Sequence, residues 1–422
     1  MIARYLRVFE HGWSERSLLE ILRALGDKEE IVTLAAPALR AVVAVGPRAA
    51  RAVLLAPPDQ LCSRLDKDPV VRLFRNGLLV VDGPLHDALR ATIEPLLRGP
   101  RLTFLEDLVR EKVDQALDQW IARGRVDLLA EFRRLTLEIL LDGLFGLSLD
   151  HEVLSEVEDG LCKAVRYISP GFWLLCPWIP RPGYQSALAR LDDMAKDWIR
   201  SRRWRPDGED LLTAWVRCPW MDDDLIRDQL LTMLIAGHDT VTAWLAWTTG
   251  LLLQHPAAWR RAQEEILRLI GHGPPALAAL QRARYLDAVA REALRLFPPI
   301  PILNRRAAVD LEIEGLRVPR GTRVMVAIYV LHRRPDRWPD PTRFRPERFL
   351  ENETGGPFAF LPFGGGPRFC VGASFAWAEG RLILARMLQR VRMRPLFERL
   401  SPRLGATLVP RGGVPVLIEP AR

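Results

Sequence analysis

The 422 residues have an ordinary globular composition, with 49% hydrophobic and 27% charged residues, and the chain is long enough to bury a sizeable core. The net charge of +8 is carried almost entirely by arginine, and the arginines are scattered, which argues against nucleic-acid binding. Five widely spaced cysteines without a C-x-x-C pair argue against a disulfide framework and a zinc site, and they favour a reducing cytoplasm.

The sequence shows no targeting or membrane-spanning segment. The N-terminus lacks the apolar stretch that follows the basic start of a signal peptide. The longest apolar run, at 230–253, is interrupted by His238 and Asp239, and an unpaired acid at the centre of a bilayer is costly. We therefore expect this run to be a buried helix and the protein to be cytoplasmic, with no transmembrane segment.

The start of the chain predicts short elements that carry no chemical motif. Apolar residues at helical spacing indicate helices, and runs of β-branched residues bounded by turn residues indicate strands. The predicted elements are helices at 17–25 and 47–55 and strands at 31–34 and 41–45.

The next predicted helix opens near Gly83 and carries two cationic side chains on one face, because His86 and Arg90 are four residues apart. Two such side chains can hold a carboxylate between their donors. On these residues alone, an ordinary surface pair is the more common interpretation.

Residues 101–215 show helical periodicity, most clearly at 105–123 and 128–144. The segment 167–184 differs because it is aromatic and contains four prolines, so it cannot form one long helix. Such a segment can be a lid over an entry channel, a membrane contact or core packing. The three interpretations stay open, with the lid favoured.

A helix of ~30 residues is predicted to end at Gln254. Aspartates from Asp222 onward suit its N-terminus, where carboxylates cap free N–H groups and complement the helix dipole. Its middle reads Ala-Gly-His-Asp-Thr, in which Gly237 weakens the helix and would let a flat ligand lie against the backbone. Asp239 beside Thr240 is costly in an apolar helix unless the pair is functional or locally hydrogen-bonded.

The helix predicted at 285–297 ends at a pair of prolines and carries Glu292 and Arg295, which are three residues apart and therefore adjacent. Taken alone, such a pair is usually a weak surface ion pair. Two short strands, at 312–314 and 324–327, are predicted after this helix.

Three glycines and a proline make 363–372 a loop that can pass close to a flat or bulky group. The loop presents Cys370 directly before a helix predicted at 373–390, whose N–H groups and dipole would lower the thiol pKa and favour thiolate. A lone thiolate held in this way can bind haem iron. A core cysteine without chemistry is the alternative, and a phosphate loop is disfavoured because no Gly-Lys-Ser/Thr follows.

The loop matches Phe-x-x-Gly-x-Arg-x-Cys-x-Gly, the haem-binding pattern of the cytochrome P-450 family, which the sequence resembles from about 31 to 418. The resemblance implies that Cys370 ligates the iron and that Arg368 contacts a haem propionate, in a loop that begins at Phe363. The further haem contacts that it implies are His86, Arg90, Gly237 and Arg305, with the neighbouring Arg306 as an alternative to Arg305.

The Ala-Gly-His-Asp-Thr run is similar to the oxygen-activation motif of that family. The resemblance implies that Thr240 hydrogen-bonds bound dioxygen and that Asp239 relays protons. It also implies that Glu292 and Arg295 form a buried pair that Arg348 completes, and that these three residues have a structural role. A further implication is that 167–184 contains the substrate lid.

On this resemblance the fold class is mostly α with a small β region, as one cytochrome P-450 domain over 1–422 that buries one haem b and has no fused reductase. The implied reaction is hydroxylation or epoxidation of a hydrophobic substrate, such as a lipid, terpenoid or carotenoid, with O2 as oxidant. Electrons would come from NAD(P)H through a ferredoxin or flavodoxin and its reductase, docked on a basic surface. A peroxide-using or rearranging haem-thiolate enzyme and a non-enzymatic haem protein are the alternatives, and the intact Asp239 and Thr240 disfavour both.

Overall fold

The computed structural model describes residues 29–36, 39–64, 68–169 and 183–421. Helices dominate these residues, and the strands among them form small sheets, so the mostly helical fold with a small β region is as predicted. The helices are α1 Pro47–Leu55, α2 Pro69–Phe74, α3 Gly83–Ile93, α4 Phe104–Arg123, α5 Leu128–Phe145, α6 His151–Ile168, α7 Tyr184–Trp204, α8 Leu211–Val216, α9 Asp223–Gln254, α10 Pro256–Ile270, α11 Leu277–Leu280, α12 Arg284–Leu296, α13 Ile328–Leu331, α14 Glu347–Leu350 and α15 Ala373–Arg390.

The strands are β1 Ile31–Ala36, β2 Leu39–Ala44, β3 Leu61–Cys62, β4 Arg125–Asp127, β5 Leu303–Ala307, β6 Leu311–Ile313, β7 Leu316–Val318, β8 Arg323–Val326, β9 Val391–Pro395, β10 Pro402–Leu404, β11 Leu408–Pro410 and β12 Pro415–Pro420. The largest sheet has the order β1-β2-β8-β5-β3, and β2 and β8 are its parallel pair. A second sheet has the order β4-β12-β9, and β6-β7 and β10-β11 are antiparallel hairpins.

Helix α9 begins where the sequence predicts. Asp222 caps it, because its side chain accepts a hydrogen bond from the amide of Leu225 at 2.8 Å, and Asp223 and Asp224 occupy the first turn. The helix has 32 residues and is therefore about 48 Å long. Its middle is buried far from both ends, so it can serve as one wall of an internal site.

Helix α9 is buried on nearly all sides between 226 and 253 and packs against α5, α7, α12 and α15. Burial on all sides is typical of a helix at the centre of a large core. Trp247 stacks on Phe297 with 3.6 Å between ring centroids, and its indole N–H donates to the carbonyl of Leu408 at 2.8 Å. These contacts fix the position of the helix relative to the elements around it.

The other predicted elements are confirmed with small shifts at their ends. The helix predicted at 285–297 runs from 284 to 296, and the helix at 373–390 has the predicted bounds. The helix predicted at 17–25 and residues 170–182 of the aromatic segment lie outside the described residues. Across the part of the chain that the structure describes, none of the helices has both the length and the apolar character needed to cross a bilayer.

Candidate active site

The loop that carries Cys370 is fixed by backbone contacts. The amide of Cys370 donates to the carbonyl of Phe363 at 3.0 Å, which joins the two ends of the loop. Gly366 has φ +67°, and a Cβ there would lie 2.2 Å from the carbonyl oxygen of Leu54 on α1. Conformation and space therefore both require glycine at this position.

Cys370 lines a cavity, and its protonation differs from the sequence prediction. Burial raises the pKa of the Cys370 thiol, although the amides of Gly372 and Ala373 and the charge of Arg90 lower it. The sulfur is open toward the cavity, but protein encloses it on its other sides, so desolvation outweighs the helix N-terminus. The amides at the N-terminus of α15 lower this pKa as predicted, but the net shift is upward, so the prediction that they favour thiolate is wrong. A thiolate here needs a metal cation as partner, because metal ligation displaces the thiol proton.

The middle of α9 contributes Gly237, Asp239 and Thr240 to the wall of the same cavity. The hydroxyl of Thr240 donates to the carbonyl of Ala236 at 2.7 Å, which is the diversion of a backbone carbonyl expected of a helical threonine. A Cβ at Gly237 would lie 3.0 Å from Leu140 of α5. The missing side chain of Gly237 therefore leaves room for the packing of α5, and Gly237 also lines the cavity, so its contact with a flat ligand stays a prediction.

Asp239 is buried, and two side chains far away in the sequence compensate its charge. Its Oδ2 accepts a hydrogen bond from the hydroxyl of Thr407 at 2.6 Å, and its Oδ1 lies 3.6 Å from Nη2 of Arg133. These partners offset the cost of burying a carboxylate. Sequence reasoning missed both roles, because a single threonine in a turn and a single arginine in a helix carry no motif.

Five side chains that can carry positive charge line the cavity that Cys370 faces, and one of them, Arg323, pairs with Asp68 at 2.8 Å. We call the other four the cationic rim: His86, Arg90, Arg305 and Arg368. The guanidinium of Arg90 donates to the carbonyl of Phe369 at 2.8 Å. Arg368 donates to the carbonyls of Val81 at 2.6 Å and Leu79 at 3.0 Å. These bonds join α3 and the segment before it to the cysteine loop.

Like charges lie close together in the cationic rim, although Glu94 pairs with Arg90 and Asp87 with His86. Burial and the charges of Arg305 and Arg90 lower the pKa of Arg368 to about 10, against the opposing effect of Asp82. Burial also lowers the pKa of Arg305, and burial with the charges of Arg368 and Arg90 lowers the pKa of His86. Bound carboxylates would relieve this repulsion. Haem, with an iron for the thiolate and two propionates for the rim, fits these donors.

The rest of the cavity wall is mainly apolar. It is formed by α2, the end of α6, the middle of α9 and the segment between α12 and β5. This composition favours a hydrophobic ligand with few polar groups. Representative lining residues are Val70, Phe74, Ile168, Ile235, Ile300 and Leu303.

Glu292, Arg295 and Arg348 are brought together away from the cavity wall, and all three are fully buried. The two carboxylate oxygens of Glu292 accept hydrogen bonds from Arg295 at 2.7 and 2.9 Å, and one also accepts from Arg348 at 3.1 Å. The amide of Arg345 donates to the same carboxylate at 2.9 Å, and Arg295 also donates to the carbonyl of His332 at 2.7 Å. Two guanidinium groups therefore share a single buried carboxylate.

Comparison with known proteins covers nearly the whole chain. The family model described as "Cytochrome P450" matches residues 6–407. The cyclooctat-9-en-7-ol 5-monooxygenase of Streptomyces melanosporofaciens is 32% identical over 96% of this chain and 91% of that protein. A putative cytochrome P450 139 of Mycobacterium bovis is 33% identical over 74% of this chain and 76% of its own length.

A plant relative is more distant. The chloroplastic carotene epsilon-monooxygenase of Arabidopsis thaliana is 29% identical over 81% of this chain and 71% of that protein. The cofactor of the matched family is haem held by a cysteine thiolate, and its members generally take electrons from redox partners. With a family match over most of its length and relatives that are monooxygenases, the chain belongs to the cytochrome P-450 family of haem-thiolate monooxygenases.

Proposed function

We propose that this monooxygenase oxidises a hydrophobic substrate beside a haem ligated by Cys370, with protons delivered through Asp239 and Thr240. The observation that carries the proposal is the shared cavity, because all three residues line it together with the cationic rim. Haem held through the thiolate would supply oxygen activation, since sulfur donates electron density to the iron. The side chains of the cationic rim would hold the propionates.

Thr240 and Asp239 have the chemistry that proton delivery requires. A hydroxyl is both a donor and an acceptor and can rotate, so Thr240 can leave the carbonyl of Ala236 and turn its proton toward the cavity. Asp239, in the next position, also lines the cavity, and its carboxyl can pass one proton to Thr240 or to an adjacent water and take one back from solvent. Each cycle of the relay moves one proton and restores Asp239.

We propose a terpenoid or a carotenoid as the substrate class. The apolar wall supports a hydrophobic ligand, and two relatives carry the names cyclooctat-9-en-7-ol 5-monooxygenase and carotene epsilon-monooxygenase. In the haem-loaded enzyme, a substrate held in this cavity would exclude water from the iron, and the spin state would report its binding. The compound that gives the largest shift from low to high spin is the one to use in the assays below.

Thr240→Val is expected to lower the amount of product formed per NAD(P)H by at least about tenfold and to raise hydrogen peroxide release, because the relay loses its hydroxyl. Substrate affinity, read from the spin shift, should change little. Thr248→Val is the matched control: Thr248 lies two turns further along α9, is buried and makes the same kind of bond, to the carbonyl of Trp244 at 2.7 Å.

An unchanged yield of product per NAD(P)H in Thr240→Val would contradict the proposed relay. The assay also separates the alternative reactions. A peroxide-using enzyme would form product with hydrogen peroxide and without NAD(P)H or a reductase, and a haem sensor would form none.

For the redox partner we propose an acidic ferredoxin or flavodoxin that docks over the cysteine loop, in the cytoplasm that the cysteine content favours. The exposed apolar side chains of Leu79 and Phe369 lie there, and Arg368 and Arg90 donate to their carbonyls. Arg98 follows α3, has half of its side chain exposed and pairs with Glu94 at 3.1 Å. An exposed apolar patch with an exposed arginine on the neighbouring segment supports an acidic partner. We call Leu79, Arg98 and Phe369 the docking surface.

Raising salt from about 0.1 M to about 1 M shortens the Debye length from ~10 Å to ~3 Å, and we expect reduction by such a partner to slow severalfold. Arg98→Glu should lower the second-order rate constant by about three- to tenfold at low salt and weaken its salt dependence. Arg200→Glu, an exposed arginine on α7 outside the docking surface, is the control. Stopped-flow reduction measures the effect of salt and the effect of each substitution on the rate constant. Salt-independent reduction would count against this docking surface.

A further inference from the structure

The contact between Thr407 and Asp239 links the β10–β11 hairpin to the proposed proton relay. The hydroxyl of Thr407 lies 2.6 Å from Oδ2 of Asp239, and both side chains are buried. Thr407 is the last residue of the turn between β10 and β11, directly before β11, and lies 168 positions from Asp239 in the sequence. Both residues line the cavity. The bond is therefore a long-range contact at the site itself.

The turn that carries Thr407 is held in place from several sides. The amide of Ala406 donates to the hydroxyl of Ser169 at the end of α6 at 2.9 Å. Ser169 in turn donates to the carbonyl of Val165 at 2.9 Å, and the amide of Leu408 donates to the carbonyl of Pro299 at 2.9 Å. These hydrogen bonds fix the backbone of the turn on both sides of Thr407. A residue that orients another side chain requires such a fixed backbone.

The other oxygen of Asp239 has a weaker partner. Nη2 of Arg133 lies 3.6 Å from Oδ1, beyond normal hydrogen-bond distance, so this guanidinium contributes charge more than direction. Nε of Arg133 is buried without a hydrogen-bond partner among the described residues. The short and directional contact of the Asp239 side chain is therefore the one from Thr407.

We propose that Thr407 is a positioning residue that orients the carboxyl group of Asp239 for proton delivery. A hydroxyl suits this task because it donates to the carboxylate and, after the carboxylate has gained a proton, accepts from the carboxyl O–H. The same contact can therefore hold Asp239 before and after it passes its proton to Thr240. This inference rests on the proposed relay and adds a residue to it.

The test compares Thr407→Val, which keeps the shape and removes the hydroxyl, with Thr407→Ser, which keeps the hydroxyl. Thr407→Val should lower product per NAD(P)H by about five- to tenfold, raise peroxide release and increase the solvent deuterium isotope effect on product formation. The dissociation constant from the spin shift should stay within about twofold. Thr407→Ser should restore most of the yield, which loss of packing alone would not predict.

A double variant shows whether Thr407 acts through Asp239. Asp239→Asn removes the relay carboxylate, so adding Thr407→Val to it should cause little further loss. Thr213→Val is the matched control, because Thr213 is a buried threonine whose hydroxyl also bonds an aspartate, Asp210, at 2.9 Å in another part of the molecule. It should leave the yield of product per NAD(P)H unchanged even if it lowers stability.

Three results would overturn the proposal: normal yield in Thr407→Val, full additivity with Asp239→Asn, or loss of haem in both Thr407→Val and Thr407→Ala. Loss of haem in both variants would mean that the hydroxyl of Thr407 has a purely structural role. These outcomes are distinct from failure of the relay itself, which would appear as normal yield in Thr240→Val.

Discussion

Replacing Cys370 by serine is expected to abolish the red-shifted band that reduced, thiolate-ligated haem shows with carbon monoxide, and to lower product formation by at least about a thousandfold. A serine hydroxyl stays protonated at neutral pH, so it cannot replace the anionic sulfur. Part of the haem should remain bound, because the cationic rim and the apolar wall are unchanged. Absorption spectra of the reduced protein with carbon monoxide and a product assay measure the two effects.

Cys218→Ser is the matched control for this prediction. Cys218 is a partly buried free thiol packed against the main core. Its replacement should leave the carbon monoxide spectrum unchanged. If Cys370→Ser instead kept the full thiolate spectrum, another residue would ligate the iron, and the assignment of the loop at 363–372 would be wrong.

Features that depend on neighbours in the sequence were predictable here. The 32-residue helix α9 has aspartates at its start and a proline after its end, so its bounds follow from capping and chain stereochemistry. The loop at 363–372 was also predictable, because its glycines exclude regular structure. In both cases the determining interactions are between residues that are close in the sequence.

Features that depend on tertiary enclosure were not predictable. The sign of the pKa shift of Cys370 was wrong, because burial by distant parts of the chain outweighs the adjacent helix N-terminus. Leu140, almost one hundred residues earlier, packs beside Gly237, and no local pattern in the sequence indicates that contact. Thr407 and Arg133 gained roles only because the fold brings both to Asp239.

Replacing Glu292 by glutamine is expected to lower the free energy of unfolding by about 3–5 kcal/mol. Its carboxylate is shared by the fully buried guanidinium groups of Arg295 and Arg348. A neutral amide would leave two like charges in the core without their counter-ion, and its N–H groups would face other donors. Urea unfolding followed by circular dichroism gives the change in stability.

The matched control is Asp159→Asn, which breaks the exposed pair of Asp159 with Lys163 on α6 and should cost less than about 1 kcal/mol. If Glu292→Gln cost no more than this control, the buried network would not stabilise the fold.

Glu292→Gln should also release haem at the urea concentration at which its helices unfold. That concentration should be lower than the one at which the wild type releases haem. Arg295 donates to the carbonyl of His332 at 2.7 Å, and the ring of His332 accepts from the amide of Leu361, two residues before the cysteine loop, at 2.7 Å. Burial and the charges of Arg295 and Arg333 lower the pKa of His332 to about 3, so its ring stays a neutral acceptor at neutral pH. Loss of the network therefore removes support from the chain that leads into Phe363 and Cys370. Haem absorbance and circular dichroism that separated along the urea titration would show instead that the loop is held independently of the network.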